Sequence, residues 1–374
     1  MSRRVHVDLG ERGYEILIGA GLPVGAAAGV RGRALVVSDS NVAPLYGAEC
    51  AGRLRQNGLE PRSVTVPAGE ASKSLETLAR LFEEAVRSGL DRRSVVVALG
   101  GGMVGDLAGF LAATFLRGVR VIQVPTSLLA MVDSSVGGKT GVNLPQGKNL
   151  VGAFHQPAEV VAEVPWLSTL PDGEYRSGLA EVVKYGMIWD AALFRRLEEA
   201  AERLLGREAA LLEDVIARCC EIKAEVVAMD EREGGVRSVL NFGHTLGHAL
   251  ETAAGYGQLR HGEAVALGMV YAAELSKTVR GFSEEEGQRL TALLRRLGLP
   301  ADLRESGVAL PWQKVREIMR ADKKAGEGVP RFVLAERIGS VVFGCEVGEE
   351  SLRAAFDQVA GARVGEGGAR GLGK

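Results

Sequence analysis

Three of the chain's five histidines, His244, His248 and His261, fall within one short stretch, "NFGHTLGHALETAAGYGQLRHGEAVALGMV". Imidazole nitrogen suits zinc and related transition metals. His244 and His248 stand four apart and so share one face of a helix, while His261 follows a glycine-containing turn and opens the next helical pattern. Such a pair, with a third donor from a neighbouring element, can build an open metal site. The zinc-protease pattern HExxH is excluded, because Thr245 stands where its glutamate would be. An oxygen ligand has to come from elsewhere. In "SGLAEVVKYGMI", Glu181 lies on an otherwise apolar helix beside Lys184 and is the carboxylate least explained by packing. The competing reading, histidines hydrogen-bonded in a helical core, fits poorly with three clustered in so His-poor a chain. Spacing alone does not divide the three into ligands and non-ligands.

Two glycine-rich stretches suggest anion chemistry. Gly100, Gly102 and Gly105 satisfy GxGxxG between a strand and a helix, which puts backbone N–H groups at a helix N-terminus where a pyrophosphate could sit. The match departs from the dinucleotide fingerprint: the cluster follows a late strand, and no acidic residue lies about 20 positions on. Asp39, ending the strand "ALVVSD", is the better ribose partner. Glycines that merely tighten a buried turn remain the alternative. "SSVGGKTG", residues 134–141, ends like a P-loop, but Asp133 occupies the required first glycine position, which excludes ATP hydrolysis by that motif. What remains is a glycine-rich loop carrying Lys139 and, further on, Lys148 beside Asn149, cations suited to anionic groups.

The elements that must position these groups alternate from Arg33 onward. Strand patterns at 33–39, 62–68, 93–102 and 119–127 are interleaved with helical patterns at 42–57, 74–88 and 103–115. That order implies βαβ units and a largely parallel sheet, with ligands at the carboxyl ends of the strands. After Pro171 helical patterns dominate, at 174–188, 191–204, 208–231, 243–254, 263–277 and 284–297. In the third of these Leu212, Val215, Ile216, Cys219, Ile222 and Val226 share one face. "RFVLAERIGSVVF" predicts a late hairpin. The expected fold is therefore α/β, with an N-terminal Rossmann-like parallel-sheet domain at residues 1–171, a mainly α-helical domain at 172–360 and a glycine-rich, disordered tail at 361–374. No repeat of 20–50 residues is visible.

Composition narrows the function. At 374 residues and 46% hydrophobic content the chain can bury two cores, and its net charge of -2 gives no global field for nucleic acid or an anionic membrane. The four cysteines, Cys50, Cys219, Cys220 and Cys345, show neither CxxC nor disulfide-framework spacing, and "MSRRVHVDLG" lacks a signal-peptide core, so a reducing cytoplasm is expected. Residues 94–116 carry one charge, Asp106, but their β-branched start and glycine cluster describe a buried strand, turn and helix rather than a membrane span.

Five stretches together carry a family resemblance. The run from "GGGMVGDLAGFLAATF" through "VPTSLLAMVDSSVGGKTGVNLPQGKNLVGAFHQP", then "RSGLAEVVKYGMI", "LNFGHTLGHALE", "HGEAVALGMVYA" and "DKK" before "RFVL", is similar to the 3-dehydroquinate synthase family from about Val5 to Ala360. The resemblance implies a lyase of the shikimate pathway of aromatic amino-acid biosynthesis. It would convert 3-deoxy-D-arabino-heptulosonate 7-phosphate to 3-dehydroquinate and phosphate through transient oxidation by NAD, β-elimination, reduction and aldol closure. Oxidising a hydroxyl to a ketone acidifies the neighbouring proton, which is the use of a recycled NAD.

By the same resemblance the metal, zinc or cobalt, is ligated by Glu181, His244 and His261, while His248 faces substrate. NAD contacts are implied for Asp39, Asn41, Glu70, Lys73, Gly101, Gly102, Asp106, Thr126, Ser127, Trp166 and Thr169, and also for Lys139 and Lys148. Substrate contacts are implied for Asp133, Lys139, Lys148, Asn149, Lys184, Lys223, Arg237, Asn241, His248 and Lys323 or Lys324, within a cleft that the two domains would face. Arg117 is expected to reach the neighbouring subunit of a homodimer. Glu163 stands where relatives usually carry aspartate. The alternatives are another sugar phosphate cyclase, disfavoured by Arg237 and Asn241, or a related metal-dependent NAD alcohol or glycerol dehydrogenase, disfavoured by the dense set of lysines.

Overall fold

In the computed structural model, which describes residues 2–26, 29–255, 257–321 and 330–361, the chain partitions into two units. Residues up to 178 group with 206–237, and residues 179–205 group with those from 238 onward. Strands and helices of the first unit are β1 (Arg3–Val7), β2 (Tyr14–Gly19), β3 (Gly32–Asp39), α1 (Ala43–Gln56), β4 (Leu59–Val66), α2 (Leu75–Arg87), β5 (Val95–Gly100), α3 (Gly102–Thr114), β6 (Arg120–Pro125), β7 (Lys139–Leu144), β8 (Gly147–Phe154) and β9 (Glu159–Glu163). Helix α4 (Asp172–Ile188) leads into the second unit with α5 (Ala191–Glu199) and α6 (Ala201–Leu205). Then come α7 (Ala209–Met229), α8 (His244–Ala254), α9 (His261–Arg280), α10 (Glu284–Arg296), α11 (Trp312–Ala321), β10 (Phe332–Arg337), β11 (Ser340–Cys345) and α12 (Glu349–Val359).

Seven strands form one sheet in the order β1-β2-β9-β6-β5-β3-β4, parallel throughout except for the β1–β2 pair. Successive side chains of a strand face opposite ways. Leu35, Val37, Val96 and Ala98 accordingly pack with α2 and α3, whereas Ala34, Val36, Val95 and Val97 pack with α1. Burial on both faces explains why these strands read as continuous apolar runs. The expected strands and helices between residues 33 and 127 form with boundaries shifted by a few residues. They bring Asp39, the glycines after β5, and Thr126 with Ser127 to the carboxyl ends of β3, β5 and β6.

Several expectations change. β1, β2 and β9 extend the sheet although no alternation announced them. In β9, "EVVAE", both glutamates are buried: Glu159 accepts from the Gly25 N–H at 2.9 Å, and Glu163 accepts from Gly21 N–H at 2.6 Å and Leu22 N–H at 3.0 Å while pairing with Arg53 at 2.5 Å. The carboxylate at 163 is thus a strut for the chain after β2. Lys139 and Lys148 lie on the antiparallel β7–β8 hairpin, not on a loop. The helix expected over 191–204 breaks at Ala200 into α5 and α6, and α11 and α12 were not anticipated. Helix α7, placed by sequence in the helical domain, groups with the sheet and packs on β1 and β2, and Val215 and Cys219 of its apolar face are fully buried. All four cysteines are buried free thiols. No helix among the described residues is long and apolar enough to cross a membrane. The tail beyond Gly361 lies outside the described residues.

In the second unit α8 and α9 pack backbone against backbone, and the hairpin β10–β11 and α12 cover α9. A Cβ at Gly268 would lie 1.8 Å from the Gly243 carbonyl oxygen, a contact with main chain that no rotamer can relieve. Gly268→Ala must therefore push apart the two helices that begin at His244 and His261. Overpacking of this kind costs about 1–3 kcal/mol, and a drop in Tm of roughly 2–10 °C is expected in thermal unfolding followed by circular dichroism. A Tm unchanged within a degree would show that the contact is not this close.

Candidate active site

Helix α4 presents Glu181 between Ala180 and Val182, all buried, so its carboxylate is delivered with 0% exposure. Lys184, one turn on and 1% exposed, pairs with one of its oxygens. The other oxygen, Oε1, lies 3.5 Å from His244 Nε2 and 3.3 Å from His261 Nε2. The remaining ring nitrogens have other partners. His244 Nδ1 lies 3.1 Å from the Phe242 carbonyl oxygen, which can only accept, and His261 Nδ1 lies 3.3 Å from Glu251 Oε2. His244 thus carries hydrogen on Nδ1 and leaves the lone pair of Nε2 on the side of Glu181, whereas His261 has a carboxylate oxygen within reach of each ring nitrogen.

Glu181, His244 and His261 each bring a ligand atom within 4.8 Å of the others. Zinc bonds of ~2.0–2.1 Å in a tetrahedron put neighbouring ligand atoms ~3.3–3.4 Å apart, and the 3.3 and 3.5 Å separations of Glu181 from the two imidazoles fit that spacing. The electrostatics differ between the two rings, and a metal ion would take the place of the proton on His261 Nε2. Burial pushes the His244 imidazole down to about 3, leaving it neutral. At His261 burial opposes the charge, but hydrogen bonds to Glu181 and Glu251 outweigh it and raise the ring to about 10, so positive charge is favoured there. His248, one turn along α8, is exposed, with ring centroids 5.2 Å from His244 and 6.2 Å from His261. Sequence reasoning missed Glu251; its signal is a carboxylate seven residues after His244, on the same helix face.

In the first unit a set of cations is held by carboxylates and main chain. Lys223 on α7 pairs with the Asp133 carboxylate and also reaches the Asp133 carbonyl at 2.6 Å. Lys139 pairs with Glu233 at 2.5 Å, a glutamate that sequence reasoning overlooked and whose φ of 60° marks a constrained turn. Arg237 is 1% exposed; its guanidinium donates to the carbonyls of Gly137, at 3.0 Å, and Glu231, while its Nε meets no acceptor among the described residues. Asp230 shapes that turn by accepting from the N–H groups of Gly234 at 2.9 Å, Gly235 at 2.7 Å and Arg237 at 3.1 Å. Asn241, in the second unit, lines a small pocket with Gly243, Thr245 and Tyr271. Lys323 and Lys324 lie outside the described residues.

The residues expected around NAD form a network in the same unit. Lys73, 4% exposed, contacts Asp106 and Asn149, each at 2.5 Å, and Glu70 accepts from Asn143 Nδ2 at 2.7 Å. Asn143 in turn accepts from the Asn149 N–H at 2.9 Å, where Asn149 has a left-handed φ of 56°. Burial raises the pKa of Asp106 against the opposing pull of Lys73. Lys148 sits beside Asn149 on β8. Gly101 caps α3, and a Cβ at Gly102 would meet Ser134 Oγ at 2.9 Å, so the absence of a side chain at 102 serves close packing as well as access. Thr126 N–H bonds the Gly100 carbonyl at 3.0 Å and Ser127 follows at the same turn. Asp39 accepts from the N–H groups of Asn41 at 2.8 Å and Val42 at 3.1 Å, fixing the entry to α1. Trp166 is buried, its ring stacked 4.3 Å from Tyr46, whose hydroxyl meets Thr169 at 2.5 Å; this ring belongs to the core and not to an open binding face. Arg117 is exposed on a turn with left-handed φ at both Leu116 and Arg117.

Known proteins match this chain over most of its length. The family profiles described as "3-dehydroquinate synthase N-terminal" and "3-dehydroquinate synthase C-terminal" match residues 63–177 and 178–325. A 3-dehydroquinate synthase of Symbiobacterium thermophilum is 52% identical over 93% of this chain and 98% of its own. One of Pelobacter propionicus is 49% identical over 90% and 94%. Among solved structures, 2-epi-5-epi-valiolone synthase from Streptomyces hygroscopicus, with NAD+ and Zn2+ bound, has a TM-score of 0.85 at 28% identity, covering 93% of this chain and 97% of that one. A 2-deoxy-scyllo-inosose synthase complexed with carbaglucose-6-phosphate, NAD+ and Co2+ has a TM-score of 0.86 at 26% identity, covering 96% and 100%. Glycerol dehydrogenase from Schizosaccharomyces pombe, at 16% identity and a TM-score of 0.63 over 88% and 83%, shares the fold alone.

The geometry makes a direct prediction. Metal-free protein titrated with Zn2+ against a chromophoric chelator should bind one equivalent, and Glu181→Ala should weaken that binding by roughly 100-fold or more, since removing a ligand removes more than an outer partner worth 10–100-fold. Unchanged affinity would take Glu181 out of the metal site.

Proposed function

The chain belongs to the 3-dehydroquinate synthase family and is an enzyme of that class, and on that premise we propose how its own residues divide the work of converting 3-deoxy-D-arabino-heptulosonate 7-phosphate to 3-dehydroquinate and phosphate. The observation that carries the reading is the convergence of Glu181, His244 and His261 at ligand spacing. A divalent metal bound there supplies Lewis-acid stabilisation of charge on oxygen, and NAD supplies a reversible hydride acceptor. Zinc or cobalt suits a site of two imidazoles and one carboxylate.

The substrate is an anion at two places, a carboxylate and a phosphate, and the chain meets it with cations already held in place. Arg237 offers a rigid, always charged fork suited to a planar carboxylate. Its buried donors are fixed by carbonyls, so little side-chain entropy remains to be lost on binding. Lys139, Lys184 and Lys223 rest against Glu233, Glu181 and Asp133, and a phosphate oxygen can take over such a partner without moving the ammonium far. Lys148, Asn149, Asn241, His248 and Lys323 or Lys324 complete the substrate set in this reading. For NAD, Asp39 and Asn41 serve the ribose, and Gly101, Gly102, Thr126 and Ser127 surround the pyrophosphate at the N-terminus of α3. Glu70, Lys73 and Asp106 hold the network beside it, Lys139 and Lys148 add charge, and the segment carrying Trp166 and Thr169 contributes main chain. The protein acts as a homodimer in which Arg117 reaches the neighbouring site; sedimentation should give twice the chain mass.

Arg237 favours a carboxylate-bearing substrate over the seven-carbon sugar phosphates of other cyclases. Release of phosphate from the heptulosonate phosphate should require both NAD and metal and leave no lasting absorbance at 340 nm. Steady accumulation of NADH would instead mark a dehydrogenase. Arg237→Ala should lower turnover by at least about 30-fold, the scale of a truncated buried charge contact, while NAD binding changes little. Undiminished turnover would remove Arg237 from the substrate's surroundings.

A further inference from the structure

Glu251 has no assigned part in the reading above, yet it is the carboxylate in contact with the outer nitrogen of a proposed metal ligand. It stands on α8 seven residues after His244, its side chain is 11% exposed, and its Oε2 lies 3.3 Å from His261 Nδ1. The opposite nitrogen of that ring lies 3.3 Å from Glu181 Oε1. His244 is held in the same orientation by a neutral carbonyl, that of Phe242. The two imidazoles are therefore anchored unequally, one by a dipole and one by a full negative charge.

Charge counting shows what the difference does. Lys184 already neutralises Glu181 within a buried ion pair. A divalent cation joining Glu181, Lys184 and two neutral imidazoles would leave two surplus positive charges, and Glu251 reduces the surplus to one. Burial makes each unbalanced charge costly. A carboxylate behind an imidazole also fixes the Nδ1–H tautomer and strengthens Nε2 as a donor.

Resting on the metal reading above, we propose that Glu251 is the positioning residue of the metal centre: it orients His261 through Nδ1 and supplies the negative charge that Lys184 withdraws from Glu181. In Zn2+ titration of the full-length metal-free protein, Glu251→Gln should bind one equivalent with affinity lowered about 10–100-fold. Glu251→Asp, which keeps the charge, should recover part of that loss. With Co2+ the Gln variant should show shifted visible bands, because the ligand field changes when His261 is held differently, and the metal-free variants should match the unsubstituted protein in near-ultraviolet circular dichroism. Affinity of the Gln variant within twofold of the unsubstituted protein, or an Asp variant weaker than the Gln variant, would overturn the proposal. Glu181→Ala run alongside separates the two ideas: if that variant also binds normally, the metal assignment itself fails, and if it alone loses binding, only the role of Glu251 does.

Discussion

A carboxylate with no surface open to water cannot remain charged alone; the effective cost of burying one ion is several kcal/mol. Glu181 is such a group, and the surrounding part of the second unit is arranged around it. Helix α4 brings its own counter-charge, Lys184, three residues further on. Helices α8 and α9 each begin with a histidine aimed at the same oxygen. Lys184 alone would neutralise the carboxylate, so two added imidazoles facing the same oxygen are surplus to a structural ion pair. They become necessary once the occupant is a cation that must be gripped from several sides. That surplus separates a binding site from a buried salt bridge retained for fold specificity.

The first unit repeats the device of a buried, paired charge. Lys73 and Lys223 are nearly buried and each is met by a carboxylate, Asp106 and Asp133. A buried cation is costly unless paired, and here each has its carboxylate in place. The consequence is a cation whose desolvation is settled when the chain folds rather than when a ligand arrives. Arg237 reaches the same end with carbonyl partners in place of a carboxylate, so its charge is oriented without being cancelled.

Much of this was legible from residue pattern because the sheet is covered on both faces: an uninterrupted apolar strand followed by an amphipathic helix leaves few other arrangements. Where reading failed, a charge or a glycine disguised the element. No strand was expected at β9, since nothing in a sequence shows that the carboxylates of Glu159 and Glu163 meet the N–H groups of Gly25, Gly21 and Leu22. Glycines at 137, 138 and 141 made the start of the β7–β8 hairpin look like a loop. The amphipathic face of α7 announced that the helix packs, but not that its partner is β1 and β2. In the site, spacing exposed three histidines and Glu181, yet only family resemblance divided ligand from neighbour. Glu251 and Glu233 escaped notice because a carboxylate on a helix or a turn is ordinarily solvated, and only the partner nitrogen identifies it.

The fold does not by itself choose between hydride transfer as an end and hydride transfer as a means. A glycerol dehydrogenase shares this architecture at 16% identity, and so do two sugar phosphate cyclases at 26% and 28%. The two cyclase structures hold NAD+ with Zn2+ or Co2+, and the dehydrogenase shares the fold alone. The decision lies in side chains added to that scaffold. An uncharged substrate gives no use for a buried guanidinium held by carbonyls, nor for nearly buried lysines each paired with a carboxylate. In a chain whose total charge is close to zero, each of these cations is instead held singly, Lys73 by Asp106, Lys223 by Asp133 and Arg237 by the Gly137 and Glu231 carbonyls. Cations held in that way are the partners proposed above for a substrate that carries a carboxylate and releases phosphate, and an uncharged alcohol would leave them without that use.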